Sequence, residues 1–83
     1  MIRMGLLWFD DDKQTPVAEK IAQAARRYRE KFGRAPTICF VHPEEPVPAP
    51  KVAGLTVQPL RTVLRHHFLV GVAEPAELLK EAA

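Results

Sequence analysis

The sequence predicts one small α/β domain, more closely α+β, in which a mixed sheet of about four strands carries one long helix on one face. Three observations predict it: an apolar run at residues 4–9, a helical apolar stripe at residues 16–32, and further short apolar runs after residue 36. The chain has 83 residues, of which 47% are hydrophobic, so we expect residues 1–83 to form a single domain around one core. The expected order is β-α-β-β-β, followed by a short C-terminal helix.

The first expected strand is the run MGLLWF at residues 4–9. Both of its alternating residue sets are apolar, which is typical of a central strand covered on both faces. The polar run DDDKQT ends the strand. Because one helix cannot cover both faces of a sheet, we expect either the C-terminal helix or a second subunit to cover the other face.

The next element is an amphipathic helix at residues 16–32. Thr15 is expected to be its N-cap, Pro16 its first residue and Gly33 its C′ residue. The apolar stripe recurs at steps of three and four, at Val17, Ile21, Ala24, Tyr28 and Phe32. The outward face is expected to carry Lys20, Gln23, Arg27, Glu30 and Lys31.

The run TICFVH at residues 37–42 predicts a second strand that is again apolar on both alternations. A strand, a helix and a strand in this order indicate a βαβ unit, with neighbouring parallel strands joined by a right-handed crossover. Prolines at positions 43, 46, 48 and 50 then indicate an extended connector rather than a helix or a central strand.

The remaining chain predicts two more strands. Residues 54–60 alternate in polarity, which indicates a half-exposed strand, and Pro59 keeps it at or near a sheet edge. Residues 61–67 fit either helical turns or the continuation into a strand. Residues 68–72 form a fourth apolar run, and Pro75 precedes good helix formers at the C-terminal end.

Acidic and imidazole side chains are expected to share one edge of the sheet. Parallel strands finish at the same edge, so Asp10 and Asp12 after the first strand would lie near His42 after the second. If the fourth strand is antiparallel to these two, His66 and His67 join them. Carboxylates with imidazoles can bind a divalent metal or act as general acid and base. The alternative interpretation is a solvated loop whose charge favours the start of the helix.

A second candidate site is basic. The end of the long helix carries the nucleic-acid-binding candidates Arg26, Arg27, Arg29, Lys31 and Arg34. A basic helix face can bind the phosphates of a nucleic acid. The same residues also fit the outward face of an ordinary amphipathic helix, and the formal net charge of +2 neither demands nor excludes a polyanionic partner.

The function favoured by the sequence is a small cytoplasmic binding or interaction module without catalysis, which pairs as a homodimer or with another protein. The third strand would leave a sheet edge available for pairing with another chain. The single cysteine, Cys39, allows no internal disulfide, which fits a reducing compartment. No run approaches the length of about 20 apolar residues that spans a bilayer. Nucleic-acid binding and a metal or acid–base site are the alternatives.

Overall fold

The computed structural model describes residues 5–72 and shows one helix packed with a five-stranded mixed sheet, which confirms the expected α+β class. The expected C-terminal helix lies outside the described residues. The elements in chain order are β1 (Gly5–Phe9), α1 (Val17–Phe32), β2 (Ile38–Val41), β3 (Lys51–Val52), β4 (Leu55–Pro59) and β5 (His67–Gly71).

The strands lie in the order β1-β5-β2-β4-β3. β5 is antiparallel to both β1 and β2, so these two strands run in the same direction, but they are not neighbours. The expected βαβ unit with two adjacent strands is therefore wrong. β5 separates them because its Phe68 and Val70 are fully buried in the core beneath α1. The parallel neighbours are β2 and β4.

β1 is an edge strand of the described sheet, and the expectation of a central strand covered on both faces is wrong. Leu6 and Trp8 pack against the core beneath α1, whereas Leu7 and Phe9 are 59% and 56% exposed. Two apolar alternations do not distinguish a strand buried on both faces from an edge strand with one bare apolar face. β2 is the strand that is buried along its whole length.

The helix begins one residue later than expected. Pro16 is the N-cap, with extended backbone angles, and its carbonyl accepts the first hydrogen bonds of α1. The expected N-cap at Thr15 is wrong, because the Thr15 hydroxyl donates to the carboxylate of Asp12 instead. Gly33 ends α1 as expected, with a φ of 74° that glycine adopts without a steric cost.

Lys20 does not lie on the outward face of α1, so that expectation is also wrong. Only 6% of its surface is exposed, and its ammonium group donates to the carbonyl of Asp10 at 3.0 Å. Lys20 follows Val17 by three residues, a spacing that places both on the same side of a helix. Its aliphatic stem is therefore buried while its charged end reaches the end of β1.

The sequence analysis missed a strand, β3, at the end of the proline-rich connector. β4 lies between β2 and β3, so the expectation that residues 54–60 leave a sheet edge available for pairing is wrong. β3 and β4 form a hairpin whose turn is Ala53-Gly54, and both turn residues have positive φ, 53° and 83°. Positive φ at both central positions is the signature of a type I′ turn. In the segment that fitted either helix or strand, residues 61–67, the first six residues form turns and bends, and His67 begins β5.

The sheet has one face covered by α1 and one face that we call the open face. On the covered face, α1 buries residues from β2, β4 and β5. On the open face, Ile38, Phe40 and Val63 are buried together, with the half-buried Leu60 and Leu69 packed against them. Within residues 5–72, the segment at residues 60–66 thus covers the middle of the open face and leaves the β1 side uncovered.

Candidate functional site

The expected acidic and imidazole residues do meet at one end of the sheet, which we call the carboxyl edge. β1 and β2 finish there and β5 begins there, because Phe9 pairs with His67 and Val41 pairs with Phe68. The backbone N–H of Asp10 donates to the carbonyl of the residue before His67 at 2.9 Å. The residues share this edge although β1 and β2 are not neighbours. β5 is antiparallel to both strands, so β1 and β2 run in the same direction and end at the same edge.

The aspartates at the carboxyl edge organise their own loop. The Asp10 carboxylate accepts from the N–H of Asp12 at 3.0 Å, and the Asp12 carboxylate accepts from the N–H of Gln14 at 2.9 Å. The Thr15 hydroxyl donates to the other oxygen of Asp12 at 2.8 Å. These bonds from Gln14 and Thr15 stabilise the charged form, so they lower the pKa of Asp12 below its usual value. The acidic run therefore builds a turn between β1 and α1.

Two of the three histidine rings at the carboxyl edge contact nearby groups of the same chain. His42 Nδ1 accepts from the N–H of Glu44 at 3.0 Å, and His67 Nδ1 lies 3.0 Å from the carbonyl of Arg65. The His67 ring also lies against Phe9, with the ring centres 4.9 Å apart. Over residues 5–72, no three His, Cys, Asp or Glu side chains are grouped so that they could hold a metal ion. The divalent metal and the acid–base site at Asp10, Asp12, His42, His66 and His67 remain predictions.

Glu45 is a residue of the carboxyl edge that the sequence analysis missed. Its carboxylate accepts from the N–H of His66 at 2.8 Å and lies 3.7 Å from the guanidinium of Arg65, with only 4% of its side chain exposed. His66 has a φ of 67°, which is unusual for a residue with a side chain. Glu45 thus holds the sharp turn that begins β5, and nothing in the proline-rich run distinguishes it from Glu44.

The basic candidates at the end of α1 divide between two sides of the helix. Arg26 and Arg29 line a groove of about 460 Å³ beside the β3–β4 turn. Arg27 and Lys31 line a second groove of about 300 Å³ beside β1, where Arg27 pairs with Glu30 at 3.3 Å. With Arg34 beyond the end of α1, these residues do not form a single stripe. Nucleic-acid binding by them stays a prediction.

Cys39 lies in the middle of the sheet and is fully buried. Burial disfavours the charged thiolate and raises the pKa of this thiol to about 12. A thiol that stays protonated is a poor nucleophile and a poor metal ligand. Cys39 is therefore part of the core, as its place in an apolar run indicated.

The open face carries the largest exposed apolar side chains of the described residues. Leu7, Phe9 and Leu64 are 59%, 56% and 68% exposed. Leu7 and Leu64 line a shallow cavity of about 300 Å³ together with Leu69 and His67. We call these five residues the open-face patch. Exposed apolar side chains that lie together in this way make the patch a candidate binding surface.

The β1 edge adds backbone groups to this patch. In an antiparallel pair, the residues whose backbone faces the partner alternate along the strand. The bond from the Asp10 N–H to the carbonyl of His66 shows that even-numbered residues face β5. The N–H and C=O groups of Gly5, Leu7 and Phe9 therefore point outwards, away from β5. These three residues are also the exposed residues of β1.

Within residues 5–72, no helix has both the length and the apolar character needed to cross a lipid bilayer. Comparisons of this chain with protein-family models, with curated proteins and with solved structures returned no match.

Proposed function

We propose that this chain is a non-catalytic protein-interaction module whose binding surface is the open-face patch together with the β1 edge. The observation that carries the proposal is the exposure of Leu7, Phe9 and Leu64, each more than half exposed, on one side of the sheet. Burying one such side chain in an interface is worth about 1.5–3 kcal/mol.

The chemistry of the surface favours a polypeptide as its ligand. Apolar side chains lie next to a row of outward-facing N–H and C=O groups on β1. An added strand satisfies such a row, and its side chains cover the neighbouring apolar surface. A small apolar ligand would leave the backbone groups to water, and a nucleic acid would gain nothing from an uncharged strand.

The carboxyl edge supports the same proposal indirectly. Asp12, His66 and Glu45 hold the turns that begin and end the strands. These polar groups build the scaffold that presents β1. We place the module in the cytoplasm, because its single cysteine is buried as a free thiol within a fold that requires no disulfide.

A site-specific photo-crosslinker tests the proposal. A benzophenone amino acid replaces Leu64 in the patch, and a matched variant carries it at the exposed Glu19 on α1. We expect adducts of polypeptide mass from position 64 in cells that express the chain, few from position 19, and loss of the position-64 adducts when Leu7 is changed to Lys. Equal adducts from both positions, or adducts that persist in the Leu7→Lys background, would refute the proposed surface.

A further inference from the structure

We propose that β1 pairs with β1 of a second copy of this chain, antiparallel and about a two-fold axis at Leu7, so that the two sheets become one continuous sheet. The inference rests on the proposed function, because it names the partner of the same surface. Both arguments for it, the backbone pattern and the side-chain pairing, depend on residues Gly5–Phe9.

The backbone pattern selects one register. Gly5, Leu7 and Phe9 point their N–H and C=O groups outwards. With the axis at Leu7, Leu7 faces Leu7 of the second copy and Gly5 faces its Phe9. All three outward residues then form hydrogen-bonded pairs, about six bonds in total. If the axis passes through Leu6 or Trp8 instead, one of the three outward residues in each copy lies opposite a residue outside the partner's β1. Fewer hydrogen bonds then form between the two strands.

The side chains are complementary in this register. On the open face, the largest residue, Phe9, lies opposite the smallest, Gly5 of the second copy, and an aromatic ring across from a glycine covers its bare backbone. Leu7 meets Leu7 of the second copy at the centre, and the two leucines cover part of each other's exposed surface. On the covered face, Leu6 lies opposite Trp8 of the second copy.

β1 lacks the features that block pairing at a sheet edge. It contains no charged residue and no proline, which are the residues that usually block an edge. The strand can therefore pair over its whole length with a second copy.

The expected dimer is weak. The paired surface is one five-residue strand with its adjoining apolar side chains, at the small end of specific interfaces. A dissociation constant of about 1–100 µM is typical of that size. Self-association should therefore depend on concentration over an accessible range.

A charged residue at the centre of β1 tests the pairing. Analytical ultracentrifugation compares the wild-type chain with Leu7→Lys, which places two like charges opposite each other at the two-fold axis and should raise the dissociation constant. Lys51→Asp on β3 is the control and should not change it.

A disulfide tests the geometry directly. Facing residues of a hydrogen-bonded pair have Cα atoms about 5.5 Å apart, within the range that a disulfide spans. Leu7→Cys should therefore form a covalent dimer under mild oxidation, whereas Leu64→Cys, on the patch but off the strand, should not. The buried Cys39 stays out of the reaction.

The outcomes separate this inference from the proposed function. A wild-type dimer that forms no disulfide at position 7 overturns the edge pairing, while the proposed interaction surface stands. A wild-type chain that stays monomeric at hundreds of micromolar overturns the second copy as partner. In that case, photo-crosslinks from position 64 to a different polypeptide would still support the proposed function.

Discussion

The sheet ends in β3 on one side and in β1 on the other, and these two edges differ in length, charge and cover. β3 has two residues, one of them the exposed Lys51, and it follows Pro50 directly. β1 has five residues, none of them charged, and its outer side chains are more than half exposed. Short length, lysine and proline are the usual means by which proteins block an edge against pairing. This chain has them at β3 and, within Gly5–Phe9, not at β1, and this difference is the basis for our proposal that β1 pairs with another strand.

The largest expected effect comes from exchanging the features of the two edges. Leu7→Lys places a lysine on β1, as Lys51 is placed on β3. We expect the dissociation constant for self-association to rise about 100-fold or more, because two apolar contacts are lost and two charges are desolvated. Lys51→Val is the counterpart at β3, where the strand is too short to pair, so we expect a change within about twofold. Sedimentation velocity across a concentration series measures both. Equal effects at the two edges would contradict the comparison.

Glu45 stabilises the turn before β5, and β5 is the strand that pairs with β1. Glu45→Ala leaves the partly buried N–H of His66 without its acceptor, and we expect a loss of about 1–3 kcal/mol in the free energy of unfolding in urea. Glu44→Ala is the matched control. Its side chain is 73% exposed beside Arg65, so a loss of less than about 1 kcal/mol is expected. A similar loss in both variants would mean that the partly buried hydrogen bond is not the cause.

A substitution in the turn between β3 and β4 should stabilise the fold. Ala53 adopts a φ of 53°, which disfavours residues with a Cβ but which asparagine tolerates well. Ala53→Asn should raise the free energy of unfolding by about 0.5–1 kcal/mol and the melting temperature by about 2–8 °C. Ala49→Asn in the exposed connector serves as the control and should leave both unchanged. A lower melting temperature in Ala53→Asn would contradict the assignment of the turn.

The smallest effect concerns the loop that leaves β1. Hydrogen bonds to the charged form lower the pKa of Asp12, so its contribution to stability is present above the pKa of the unfolded chain and is lost as pH falls through the folded value. Chemical denaturation from about pH 5 down to about pH 2 should show Asp12→Asn losing less stability than the wild-type chain. Asp11→Asn, at the exposed neighbouring position, should follow the wild-type curve.

The helix and four of the strands could be predicted from the sequence because each depends on local patterns. The stripe from Val17 to Phe32, Gly33 at the helix end and the apolar runs of β2 and β5 are readable within a few residues. The position of β5 between β1 and β2 could not be read, because pairing across the sheet depends on contacts between distant segments.

The candidate site shows the same division. The acidic run with Asp10 and Asp12 could be recognised from the sequence. The turn that these residues build could not, because it depends on backbone geometry that a run of aspartates does not reveal. Glu45 was missed because its burial is created by the turn at His66. The proposed interaction surface could not be recognised in the apolar run, because a strand buried on both faces and an edge strand with one exposed apolar face have the same residue pattern.

The short, charged β3 edge has a consequence for the number of copies that can assemble. A sheet with two open edges can add copies without limit, and such growth leads to fibres. Here the two-residue β3, with its lysine and preceding proline, offers nothing to extend from. If two copies pair through β1 as proposed, neither edge of the described sheet stays open, so assembly stops at two copies and filaments do not form.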